Sequence, residues 1–152
     1  MTRPTIARGS TGQAVIDAQN ALNTRFPPWS TIDVDGKFGN HTFAAVVDYQ
    51  DARAAGTQMA YTWPLEVDGV IGPMTWGRLI PDTVKKNDTG ATVRLLQAML
   101  KAFNLPQYDP GMIDGSFGTN TETALKNYQM DFGVTGDPAG TAGPNTWTSL
   151  NS

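Results

Sequence analysis

Covalent chemistry near neutral pH draws on a few side-chain sets. They are a cysteine thiolate beside a histidine, a metal held by several histidines and carboxylates, or two opposed carboxylates. This 152-residue sequence has no cysteine and one histidine, His41, so the first two sets are closed to it. Fourteen acids leave a carboxylate pair open by count alone. The acids that stand out by context, Asp35 and Asp114, each precede a glycine. An Asp-Gly pair is a turn former, because the aspartate hydrogen-bonds its own backbone while glycine takes positive φ. Both acids therefore read as turn residues first. Asp33-Val34-Asp35-Gly36 has a trace of a calcium loop, but Phe38 and Ala44 stand where that loop needs glycine and glutamate. No catalytic residue, metal ligand or cofactor is assigned.

The elements that would position any site come in two copies. Gly12-Gln-Ala-Val15-Ile-Asp-Ala-Gln19-Asn-Ala-Leu22 returns as Gly90-Ala-Thr-Val93-Arg-Leu-Leu-Gln97-Ala-Met-Leu100. Val34-Asp35-Gly36-Lys37-Phe38-Gly39 returns as Ile113-Asp114-Gly115-Ser116-Phe117-Gly118, followed in each copy by Thr42 or Thr121 and by Tyr49-Gln50 or Tyr128-Gln129. Gly72-Pro73-Met74-Thr75-Trp76 with Leu79 returns as Gly143-Pro144-Asn145-Thr146-Trp147 with Leu150. The register between copies slips, placing an insertion within residues 51–66 and a smaller one around 137–140. Residues 1–80 and 81–152 are thus expected to be two small domains, with Pro81 ending the first.

Each block predicts a helix. Val15, Ala18, Leu22 and Phe26 recur at helical spacing, as do Val93, Leu96, Leu100 and Phe103. The second block predicts helices over 40–55 and 120–132, capped by Asn40 and Asn120, with Thr121, Leu125, Tyr128 and Phe132 on one face. Gly-Pro opens a short third helix, since proline suits a first turn. The best strand candidate, Thr31–Val34, is weak, and the fold class is all-α: two tandem three-helix domains with Gly/Asp/Pro-rich loops. Phe38, Phe117, Trp76 and Trp147 read as core. Gln19, Gln50, Gln97 and Gln129 sit on otherwise apolar faces, where burial demands hydrogen bonds, and are expected to tie the Asp-Gly loops to the helices.

Gly-x-x-Val-x-x-x-Gln-x-x-Leu, then Asp-Gly-x-Phe-Gly-x-x-Thr-x-x-Ala with Tyr-Gln, then Gly-Pro-x-Thr-Trp-x-x-Leu, resembles the peptidoglycan-binding domain family. These are small three-helix modules appended to many cell-wall hydrolases. The resemblance covers nearly the whole chain twice. Tyr-Gln replaces the family's usual Phe-Gln, and the insertion sets the first copy further from the pattern. The resemblance implies a binder of bacterial peptidoglycan rather than a catalyst, in the company of a catalytic partner or another phage or bacterial protein. Outside the repeats only residues 1–7 and the insertions remain, which is too little for a catalytic domain.

Symmetry between the copies selects the polar positions around each Asp-Gly loop and the following helix start as ligand contacts. They are Asp35, Lys37, Asn40, His41 and Thr42 in the first copy, and Asp114, Ser116, Thr119, Asn120 and Thr121 in the second. Free amides at such a helix start suit a stem-peptide carboxylate. Trp29, Tyr61 and Trp63 lie in segments without a counterpart; they either stack on sugar faces or cover the core, and Trp63 is carried as a ligand candidate.

A net charge of −3, with no basic cluster larger than Lys85-Lys86, excludes nucleic acid as the expected partner. No apolar run approaches the roughly 20 residues that span a bilayer, so no membrane partner is expected. The first nine residues lack the apolar stretch of a signal peptide. Action at the cell wall or outside the cell is expected, without a recognisable leader, in a phage-encoded or bacterial lytic setting. Two other readings stand beside wall binding: a structural or assembly protein, such as a phage-particle component, and more distantly a wall hydrolase with a carboxylate site.

Overall fold

The computed structural model describes residues 3–25 and 31–151. It is all-helical, with no strand among the described residues. Contacts divide the chain into two compact units, Met1–Ile80 and Pro81–Asn151.

The first unit carries α1 (Gln13–Arg25), α2 (Asn40–Ala52) and α3 (Pro73–Leu79). The second carries α4 (Ala91–Ala102), a 3-10 turn η1 (Pro106–Tyr108), α5 (Thr119–Asp131) and α6 (Pro144–Leu150). In α1 the residues Val15, Ala18, Gln19 and Leu22 are buried, and in α4 the set is Val93, Leu96, Gln97 and Leu100. Their spacing is that of one helical face. The faces close on Phe38, Val46, Tyr49 and Leu79 in one unit and on Phe117, Leu125, Tyr128 and Trp147 in the other, all at most 2 % exposed. Each such apolar side chain contributes about 1.5–3 kcal/mol on burial. Trp76 and Trp147 are anchored alike, their indole N–H donating to Pro4 O at 2.8 Å and Asp82 O at 3.0 Å.

Four sequence expectations are corrected. Thr31–Val34 is irregular backbone, not a strand. The second helices end at Ala52 and Asp131, short of the predicted ends. Gly39 and Gly118, not the asparagines, hold the cap positions, and no side chain caps either helix. Phe103 and Phe132, expected on buried faces, are 38 % and 52 % exposed, clustered with Tyr108 and Tyr128 at centroid distances of 4.5–6.0 Å, with only Tyr128 and Phe132 stacked. The helices end before these rings can follow the core face inward. Phe26 and Trp29 lie outside the described residues.

The insertion in the first unit is held from below by an arginine. Arg78, 1 % exposed, donates to the carbonyls of Met59, Ala60 and Trp63. Burial pushes its guanidinium down to about 10, still protonated at neutral pH. Arg53 is buried as well, its guanidinium 3.9 Å from the centre of the Tyr49 ring.

Candidate functional site

Each Asp-Gly loop is locked by one buried glutamine. In the second unit the Gln97 amide nitrogen donates to Asp114 Oδ1 at 3.2 Å, Ser116 O at 3.0 Å and Thr121 Oγ1 at 3.0 Å. Its amide oxygen accepts from the N–H groups of Asp114 and Gly115 at 3.1 and 2.9 Å. Asp114 Oδ1 also accepts the Ser116 N–H at 2.9 Å, closing the turn. Gln19 makes the same five bonds, to Asp35, Lys37, Thr42 and Gly36, at 3.0–3.1 Å. Gly36 and Gly115 sit at φ 72° and 76°, a region that side chains with a Cβ rarely adopt. One helix, one loop and the start of the next helix are thereby fixed as a piece.

A further matched block precedes each first helix. Gly9 and Asn87, both at positive φ, donate to Phe38 O and Phe117 O at 2.9 Å, and Gly12 and Gly90 donate to Gly36 O and Gly115 O. In the first unit this block brings Arg8 to the site. Its guanidinium lies 4.1 Å from the centre of the Phe43 ring and 3.3 Å from Asn40 Oδ1. Asn40 thus meets a cation instead of capping its helix. The Arg8 and Lys86 positions match in the sequence, and alignment of the segments before Gly12 and Gly90 would have shown it.

Above each locked loop lies an open cavity. In the first unit it is about 330 Å³, lined by Asp33, Asp35, Lys37, Gly39, Asn40, His41 and Thr42. The second unit's is about 260 Å³ and includes Met112, Asp114, Ser116, Thr119, Asn120 and Thr121. Ten of the sequence candidates therefore gather in two matched cavities, five in each. Within them Thr42 and Thr121 are buried against the glutamines, which also bond the two exposed aspartates; Lys37, Asn40, His41, Ser116, Thr119 and Asn120 are exposed candidates whose side chains the glutamines do not bond. Trp63 stands apart from both. It packs on the core with its indole against Gly77. Among the described residues no group of three or more His, Cys, Asp or Glu side chains is placed to hold a metal.

Residues 89–150 match the family model of the peptidoglycan binding domain. This segment belongs to that family. The chain is 32% identical over 97 residues to the N-acetylmuramoyl-L-alanine amidase CwlM of Mycobacterium tuberculosis, covering 57% of this chain and 23% of the relative. It thus spans under a quarter of that protein's length. Two solved structures are also similar. A peptidoglycan-binding protein from Clostridioides difficile, in complex with glutamine hydroxamate, is 33% identical with a TM-score of 0.40, over 46% of this chain and 40% of that one. The SleB N-terminal domain is 30% identical with a TM-score of 0.39, over 52% of this chain and 92% of that one.

The loop of the peptidoglycan-binding domain carries an electrostatic signature. The Ser116 N–H, followed by the Gln97 amide, holds the Asp114 carboxyl below its ordinary range. The Lys37 N–H and Gln19 do the same for Asp35. A carboxyl lowered in the folded state stabilises the fold above its unfolded pKa of about 4, and that contribution is lost as pH falls through the folded value. The stability advantage of wild type over Asp114→Asn is therefore expected to be constant from pH 7 to 5 and to shrink below about pH 4. Urea midpoints collected at pH 6 and pH 2.5 check this; an undiminished gap at the lower pH contradicts it.

The sequence reading missed that the lock occurs twice per unit. Val67-Asp68-Gly69-Val70-Ile71-Gly72-Pro73-Met74-Thr75 repeats the loop of residues 34–42 position for position, a pattern visible in the sequence. Gln50 locks it with the same bonds, to Asp68, Val70 O and Thr75 and from the Asp68 and Gly69 N–H groups, at 2.9–3.1 Å. In the peptidoglycan-binding domain the corresponding loop has Ala139 in place of the aspartate. Gln129 still holds Gly140, Thr141 and Thr146. Asp137 turns inward instead and accepts from the Gly143 and Thr146 N–H groups and the Thr146 hydroxyl at 2.7–3.1 Å.

Proposed function

We propose that the chain is a non-catalytic binder of bacterial cell-wall peptidoglycan, with one binding module in each unit, which targets a lytic or wall-remodelling system to the wall. The observation that carries this reading is the pair of matched cavities over the Gln19 and Gln97 locks. Each opens at the start of a 13-residue helix that no side chain caps. The first-turn N–H groups of such a helix have no partner within it, and the helix dipole adds partial positive charge there. A stem-peptide carboxylate fits that end, with Lys37 and Arg8 adding positive charge in the first unit and His41 a hydrogen-bonding ring. Family membership of residues 89–150 supports the wall as the source of the ligand.

The test is co-sedimentation of the full chain with purified peptidoglycan sacculi. Retention in the pellet at low salt, with no soluble muropeptides released during the incubation, is expected. A chain that stays in the supernatant at every salt concentration overturns wall binding, and released fragments overturn the non-catalytic part.

A further inference from the structure

The loop locked by Gln50 encloses a cavity of its own. It measures about 440 Å³, larger than either candidate site, and its lining includes Pro64, Glu66, Val70, Pro73 and Met74. Apart from Pro64, its lining matches that of the His41 cavity residue for residue, with different chemistry. Glu66 stands where Asp33 stands, so the acid persists. Val70 and Met74 replace Lys37 and His41, and Pro73 replaces Asn40, so both basic groups are gone. Asp68 is already consumed by Gln50 and by the Val70 N–H. The Glu66 carboxylate is exposed and meets no hydrogen-bond donor or cation among the described residues.

The second unit shows what a satisfied carboxylate does at this position. Asp137 is the counterpart of Glu66, and it accepts from four donors of its own chain, the N–H groups of Gly143, Asn145 and Thr146 and the Thr146 hydroxyl. In the first unit Asp68 occupies the loop, leaving Glu66 at the rim of an open space. An anion entering there would meet two carboxylates and no cation. A cation on an aliphatic stem meets a carboxylate acceptor, with Val70, Pro73 and Met74 (53 % exposed) to cover its methylenes.

We propose that this cavity is a second binding site of the first unit, taking a protonated primary amine on an aliphatic chain, the side chain of a diamino acid in a peptide. Glu66 is its charge partner, and Val70 and Met74 contact the stem. The seven-residue α3, which begins with a proline, contributes no anion site. The first unit then carries two cavities of one design and opposite chemistry, one accepting a cation and one proposed for a carboxylate. The assignment of that peptide to the wall rests on the function proposed above; the amine site does not.

Titration of the full chain with Nα-acetyl-lysine methylamide, followed by amide NMR shifts, tests the site directly. Shifts are expected at residues 64–75, at least about fivefold weaker in affinity for the norleucine analogue, which has the stem without the ammonium. The same loss is expected for Glu66→Gln, whose exposed position leaves the fold and the Gln50 lock intact. No shifts at 64–75, equal response to norleucine, or an unchanged response in Glu66→Gln each overturn the proposal. Sacculus sedimentation separates the two readings. Sedimentation without lysine-induced shifts removes the amine site alone. Shifts at 64–75 without sedimentation support the site and remove the wall as its ligand's source.

Discussion

Replacing Gln97 by leucine is expected to cost the second unit about 2–4 kcal/mol of stability, although leucine nearly matches glutamine in size and is the more apolar side chain. Gln97 is 1 % exposed and makes five hydrogen bonds. Leucine leaves the Asp114 and Gly115 N–H groups and the Ser116 carbonyl without their partner. A buried polar group left unsatisfied costs about 1–3 kcal/mol, more than the extra apolar burial returns. At about 0.05–0.15 kcal/mol per residue, a unit of this length holds roughly 4–10 kcal/mol, so the loss is a large share. Gln97→Glu keeps the acceptor but places a second carboxylate beside Asp114, and it should be as damaging at pH 7. Urea unfolding of the full chain, read by amide resonances of each unit, checks both variants. The Gln19 loop resonances serve as the internal reference. Unfolding of the second unit within 0.5 kcal/mol of wild type would mean that the loop stands without its lock.

The same glutamines explain how much was legible beforehand. A glutamine recurring on an apolar helical face has one physical reading, a hydrogen-bonded anchor, and the nearby Asp-Gly turns were the groups in need of one. Phe38, Phe117, Trp76 and Trp147 followed from helical period and turn chemistry alone. Three features did not follow. Arginine is rarely buried, so residue type argued against Arg53 and Arg78 as core, and only tertiary packing of the insertion puts them there. The ends of helices are set by competition among turn residues within a few tenths of a kcal/mol, so Asn40 lost its cap role to Gly39 and turned toward Arg8. Trp63 looked available because its segment has no counterpart, but glycine at position 77 leaves a flat surface that its indole covers. The second lock was present in the letters at 67–75. It was obscured because the chemistry at Lys37 and His41 had become Val70 and Met74, while Ala139 removed the aspartate from the other unit.

Placing a carboxylate inside one candidate cavity is expected to cut wall retention by at least about 10²-fold while leaving the fold at least as stable. His41→Glu and Asn120→Glu each add the charge in the first turn of a 13-residue helix. There it interacts favourably with the helix dipole, by about 0.3–1 kcal/mol, and occupies the amides proposed for the ligand. Stability and binding therefore move in opposite directions, and a loss of binding cannot be laid to unfolding. The size of the loss follows from bivalency. Two weak sites on one chain, engaging one polymer, gain about 10²–10⁴ over either alone, and disabling one site forfeits that gain. The double variant should lose only a further tenfold or so, because one weak site is all that remained. Sedimentation with sacculi over a concentration series, alongside thermal melts, measures both quantities. Equal retention of His41→Glu and wild type, with Asn120→Glu strongly impaired, would assign wall binding to residues 89–150 alone. Unimpaired retention by both variants would place the ligand elsewhere on the chain.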